Sequence, residues 1–227
     1  MRKYFAIFML AFAVASASCA NPAADKPRAT VSEATQTPDA PKLAGTETLP
    51  ITPENSKIEF VGSKVTGSHN GGFKKFSGTI ELAKEGVEKS RVTIDIDTDS
   101  IFTDNERLTG HLKTADFFDV PKHPKANFTS TKIEKRVLGG PRDTAEQNKD
   151  PNWAGTQFTV TGNLEMHGVK KSISFPATIQ VAPDSASVNA EFAINRKDFG
   201  INYTGKADDL IRDEVVMKLT VKAPRKQ

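Results

Sequence analysis

Four histidines and one cysteine are the side chains of this sequence best suited to metal binding or catalysis. His69, His111, His123 and His167 are scattered, with neither H-x-H nor H-x-x-x-H spacing, and Cys19 has no second cysteine beside it. A zinc site of recognised type needs clustered ligands, so no metal is expected. The Gly-rich turns that cradle phosphates or dinucleotides are missing, as is the strand–Ser–helix elbow of hydrolases. Asp95, Asp97 and Asp99 alternate along one strand, opposite Val92, Ile94 and Ile96. The apolar set claims the interior and leaves the acids to solvent. His111 and His167 are the candidates for a general base, and each is expected to act as a structural hydrogen-bonder instead. The sequence assigns no catalytic residue.

The elements that must position any site are strands. From Ser56 onward the period is two, with apolar runs at Ile58 and Phe60, at Phe76, Ile80 and Leu82, and at Val92, Ile94 and Ile96. Further runs follow at Phe128 and Ile133, from Phe158 to Met166, from Val169 to Val181, from Val188 to Ile194 and from Val215 to Val221. That is about eight strands, each with one apolar face. Turns are read at His69-Asn70-Gly71-Gly72, Ala83-Lys84-Glu85-Gly86, His167-Gly168 and Ala182-Pro183-Asp184-Ser185. Such short links fit antiparallel neighbours, because parallel strands need long crossovers. A sheet of this size with one dry face closes into a barrel, either filled or holding one small ligand. Gly78, Ser130, Gly162, Ala177 and Ala190 fall at inward positions, where they leave room for a ligand or taper the barrel. Pro176 marks an edge or bulge in its long strand.

One short helix, at about residues 104–117, interrupts the strands. Thr103 and Glu106 fit a capping box, Leu108, Leu112 and Ala115 share a face, and Asp119-Val120-Pro121 ends the helix. A lone helix in such a pattern covers a sheet edge or the open end of a barrel. Residues 136–155 form a long polar loop carrying the sole tryptophan, Trp153, read as a surface insertion or a flap over the mouth.

Residues 1–18 have two basic residues, an apolar run from Phe5 to Val14 and then small residues, the pattern of an export signal. Ala17-Ser18-Cys19 resembles a bacterial lipobox, with Ser16 in place of the usual Leu or Val. Lipidation of Cys19 makes the chain a periplasm-facing lipoprotein anchored in a membrane, with Ala20 favouring the outer membrane. Cleavage after Ala17 instead gives a soluble periplasmic or secreted protein. Residues 19–50 lack aromatics and are rich in Pro, Ala and Thr, so they read as a flexible tether spanning about 30 Å. Residues 51–227 are then the folded domain. Removing Arg2 and Lys3 with the signal takes the net charge from +3 to +1. No basic stripe is visible, so no nucleic acid is expected.

Four stretches, in order, resemble the YceI-like lipid/polyisoprenoid-binding family. They are Gly72-Phe73-Lys74-Lys75-Phe76-Ser77-Gly78, then Leu108-Thr109-Gly110-His111-Leu112-Lys113 running on to Asp116-Phe117-Phe118-Asp119. The third is Thr161-Gly162-Asn163-Leu164-Glu165-Met166-His167-Gly168-Val169-Lys170-Lys171, and the fourth Asn195-Arg196-Lys197-Asp198-Phe199-Gly200-Ile201. The resemblance implies an all-β, lipocalin-like antiparallel barrel around an elongated apolar cavity. The implied guest is a polyisoprenoid or isoprenoid-quinone-like lipid, with no other cofactor. The candidate lining is Phe76, Ile80, Ile94, Phe128, Val160, Leu164, Phe175, Phe192, Ile194 and Leu219, with Leu112 and Phe117 near a mouth. Arg107, Arg196 and Asp198 lie within or beside the motifs, either pinning a helix or late strand through a buried ion pair or meeting a lipid headgroup. The expected function is non-catalytic binding, storage or transport of such a lipid in the cell envelope. Two rivals stand beside it: an envelope structural module with a filled core, and a lipid-modifying enzyme using His111 or His167.

Overall fold

The computed structural model describes residues 21–35, 45–136 and 157–225. The export signal, Cys19 and Trp153 lie outside the described residues. The eight alternating runs appear as β3 (Lys57–Lys64), β5 (Phe76–Ala83), β6 (Arg91–Asp97), β8 (Lys125–Lys135), β9 (Phe158–Met166), β10 (Val169–Val181), β11 (Ser185–Asn195) and β14 (Glu214–Pro224). Six further strands raise the count above eight. They are β1 (Thr30–Glu33), β2 (Thr46–Ile51), β4 (Gly67–Phe73), β7 (Ile101–Thr103), β12 (Gly205–Lys206) and β13 (Asp209–Leu210).

One path of hydrogen-bonded neighbours runs β2-β5-β6-β8-β9-β10-β11-β14-β3-β4-β7, with β1 added to β10 and β12–β13 as a separate hairpin. The sheet curls strongly into a half-barrel. Its ladder ends at β2 and β7 among the described residues, and β2 packs across to β14 through side chains. Leu49 and Ile51 of β2 share one core cluster with Val221 and Ala223 of β14, and Arg225 reaches Glu47 at 2.8 Å.

Three expectations are corrected. His69-Asn70-Gly71-Gly72 is not a turn but the second half of β4. Its glycines are there because a Cβ on Gly71 would lie 2.4 Å from the tip of the Phe60 ring, and one on Gly72 would lie 2.7 Å from the Ile58 carbonyl. Glycine within a strand marks a close approach, which a sequence alone does not distinguish from a turn. The segment read as a tether contributes β1 and β2, and Ala23 within it is buried. The helix α1 spans only Glu106–Leu112, and its N-cap is Asn105, whose side chain accepts the Leu108 N–H at 3.0 Å. Thr103 instead donates to the Asn105 carbonyl and bonds the Thr109 hydroxyl. Leu112 is buried as expected, whereas Ala115 lies beyond the helix and is exposed.

The turn expected at His167-Gly168 is present. Both residues have positive φ, 54° and 73°, and Met166 pairs with Val169 across them. This is the two-residue hairpin geometry whose twist matches the flanking strands.

Candidate functional site

The interior is lined by two apolar clusters. One gathers Leu49, Ile58, Phe60, Phe73, Phe76, Ile80, Ile94, Leu112 and Phe117 under α1; the other gathers Val160, Ile173, Phe175, Phe192, Ile194 and Phe199. Nine of the twelve expected lining residues are buried in these clusters: Phe76, Ile80, Ile94, Leu112, Phe117, Val160, Phe175, Phe192 and Ile194. The other three, Phe128, Leu164 and Leu219, are only partly buried although they pack against the same interior. Met217, Val215, Val188 and Met166 behave alike, and each touches both clusters. Cross-strand pairing sets Leu219 opposite Ala190, Met217 opposite Phe192 and Val215 opposite Ile194. Together these partly open apolar side chains connect the two clusters. The alternation of β14 gives Val215 and Met217 as inward, and their partial exposure appears only in three dimensions.

The small inward residues do not all leave space. A Cβ on Gly162 would lie 2.4 Å from the Phe128 ring, and one on Gly78 would lie 2.3 Å from the Thr93 carbonyl. Ser130 uses its hydroxyl to accept the Val92 N–H at 2.9 Å. At these three positions the small side chain admits a neighbour rather than a guest. Ala177 and Ala190 belong to the second cluster.

The four histidines each find a partner. His111, Phe117 and Tyr203 form a ring triangle with centroids 5.0 to 5.4 Å apart, and His111 Nε2 lies 2.8 Å from the Asp116 carboxylate. That pair is exposed, with His111 37% and Asp116 50% accessible. His167 stacks edge-on against His123 and directs Nδ1 to the Phe199 carbonyl. His69 lies 2.7 Å from Asp104. Among the described residues no group of three or more His, Cys, Asp or Glu side chains is placed to hold a metal ion.

Arg196 is buried, and it donates to the Ile201 carbonyl at 2.6 Å and the Arg212 carbonyl at 3.2 Å. Its ionic partner is Asp213 at 3.2 Å, and Asp198, the partner the motif suggested, is exposed. Burial pushes the guanidinium below its usual range, with the Asp213 charge opposing that shift. Arg196 therefore pins the end of β11 to the start of β14. Arg107 is exposed on α1.

With this geometry in view, the model of the YceI-like domain matches residues 50–223. The chain belongs to the YceI-like family. Curated YceI-like relatives include a UPF0312 protein of Pseudomonas putida, 32% identical over 60% of this chain and 65% of its own. Protein YceI of Salmonella arizonae is 31% identical over 58% of this chain and 62% of its own. The chain thus spans just under two thirds of the length of the relatives it matches. Among solved structures, BcnA of Burkholderia cenocepacia superposes with a TM-score of 0.60 at 21% identity, covering 76% of this chain and 99% of that one. A polyisoprenoid-binding domain from Saccharophagus degradans gives 0.56 at 17% identity over 80% and 99%. These two likenesses establish the YceI-like fold. The family match starts at Pro50, so β1 and the segment before it lie outside it.

Proposed function

We propose that this YceI-like protein binds one long apolar lipid of isoprenoid type along the inner trough of its half-barrel and holds it without changing it. The trough carries the reading: Val188, Val215, Met217 and Leu219 face inward, touch both clusters and stay partly open. A flexible apolar chain laid there gains about 0.8 kcal/mol for each CH₂ removed from water, so length and shape do most of the selecting. The isoprenoid class is supported by the Saccharophagus degradans neighbour and by the family match. An envelope location, as a lipoprotein anchored through Cys19, is supported by the export-signal pattern before it.

The His111–Asp116 pair favours a second reading, a lipid-modifying enzyme with His111 as general base. Its exposure to solvent supports holding over chemistry.

Native mass spectrometry of gently purified protein tests the proposal. It is expected to find one added mass per chain that organic solvent extracts as an isoprenoid-type lipid. Ala190→Trp, opposite Leu219, is expected to abolish that mass in a folded protein at a cost of about 1–3 kcal/mol from overpacking. A protein that purifies empty and takes up no polyprenol when offered one would end the reading and leave an envelope structural module. Conversion of the lipid by wild type but not by His111→Gln would establish the enzyme.

A further inference from the structure

The wall of the half-barrel has a cleft. β10 pairs with β9 along Val169–Ala177, but with β11 only along Thr178–Val181. Pro176, which has no N–H to donate, sits just before that fork. Continued in register, the β10–β11 ladder would set Ser174 opposite Ala193, since Thr178 pairs with Asn189. Instead the two strands part, and the N-terminal segment enters between them. Thr30 takes Ser174 in an antiparallel ladder, while Arg28 takes Ala193 in a parallel bridge. The Ala29 N–H donates to the Ala193 carbonyl and the Ala193 N–H to the Pro27 carbonyl, both at 2.8 Å.

Inserted there, the segment contributes to the interior. Ala29 and Val31 pack against the cluster of Ile173, Phe175, Phe192 and Ile194. On the outer face Ala23 is buried with Val61, Ala193 and Val216. Asn163 holds the Thr35 main chain from both sides, accepting its N–H at 3.1 Å and donating to its carbonyl at 2.8 Å. Lys26–Glu191, Arg28–Glu214 and Lys171–Glu33 tie the flanks.

We infer that residues 27–35 are the side gate of the trough: a strap whose Ala29 and Val31 form part of the wall around the bound lipid and whose release admits or discharges it laterally. The inference rests on the lipid-binding reading above. Two physical points carry it. The strap ladder is four residues long, whereas β9–β10 holds nine residues in register and β11–β14 eleven, so the strap opens more readily than either of those flanking ladders. Its ion pairs involve partly exposed side chains and contribute little. A long chain that leaves sideways need not thread its whole length past the buried Leu112 and Phe117.

The test locks the strap. In the full chain carrying Cys19→Ser, Ser32→Cys and Ser172→Cys put two thiols on the outer side of paired positions. Fluorescently labelled geranylgeraniol is then transferred from phosphatidylcholine vesicles to the oxidised and to the reduced protein. Oxidation is expected to slow uptake and release by about tenfold or more, as lid closure does, while the amount bound at equilibrium is unchanged. Asn163→Ala with Glu33→Lys loosens the strap and is expected to speed both steps. Equal rates in the oxidised, reduced and loosened proteins, with binding intact, overturn the gate and make the strap a structural staple. Failure of wild type to bind the probe overturns the lipid-binding reading itself.

Discussion

The Phe128 ring lies over Gly162, so that a Cβ on the glycine would sit 2.4 Å from the ring and 2.6 Å from the Thr129 carbonyl. Gly162 pairs with Ser130 and Phe128 with Leu164, so the ring leans diagonally across the β8–β9 ladder. The ring can move and the backbone carbonyl cannot. Gly162→Ala is therefore expected to cost about 1–3 kcal/mol through overpacking, read as a lowered midpoint of urea unfolding. Adding Phe128→Leu should restore only the part due to the ring. An unchanged midpoint in the single variant would show that the sheet yields there.

That pair also marks how far the sequence could be read. Period-two alternation located eight strands because each buries one face, and burial leaves a side-chain signature. β4 was hidden because Gly71 and Gly72 are small for the sake of Phe60 and the Ile58 backbone, and a lone sequence does not tell such a glycine from a turn. β1 was hidden for a different reason. It joins β10 through main-chain bonds, which any residue makes, and within β1 Val31 packs against the core. Composition reports whether a segment can build its own core, not whether it completes another's. In the candidate site, the burial of nine of the twelve named side chains was legible from alternation. The partial exposure of Val215 and Met217 was not, because it depends on how the sheet curls.

Arg196 supplies a second test. Its guanidinium donates to two main-chain carbonyls and faces Asp213, which also meets Lys197 at 2.9 Å. Arg196→Met leaves those carbonyls and the carboxylate short of a partner, with an expected loss of about 2–4 kcal/mol. Arg196→Lys keeps the charge without the fork and should recover less than half of that. Asp213→Asn should cost much less, because Asp213 is 40% exposed. Denaturant unfolding of the three variants checks the order, and a harmless Arg196→Met would remove the pinning role.

Asp104 should titrate low. It accepts the Asn70 N–H at 2.8 Å, and that main-chain bond, ahead of the His69 ring, holds its carboxyl below the ordinary value of 3.8. A carboxyl with a lowered folded pKa stabilises the fold above its unfolded value and loses that contribution as pH falls through the folded value. The window therefore lies below pH 3.8. Carbon-13 NMR titration of wild type and His69→Ala should find Asp104 below its ordinary value in both. A return to 3.8 in His69→Ala would assign the shift to the histidine instead.

The ordered strap changes what an anchor at Cys19 would do. Read as a tether, residues 19–50 would hold the domain about 30 Å from its membrane. Yet Ala23, four residues past Cys19, is already buried against Val61, Ala193 and Val216, and four residues reach at most about 14 Å. On the proposal that Cys19 is lipidated, the cleft side of the barrel is then held against the bilayer, where a lateral gate is useful. A dye on Asp25→Cys in vesicle-bound protein is expected to transfer energy strongly to headgroup-labelled lipid. Twenty Gly/Ser residues inserted after Ala20 add a coil of roughly 25 Å and should weaken that transfer. Equal transfer with and without the insertion would refute close docking, and flotation of Cys19→Ser with vesicles as efficiently as wild type would refute the anchor.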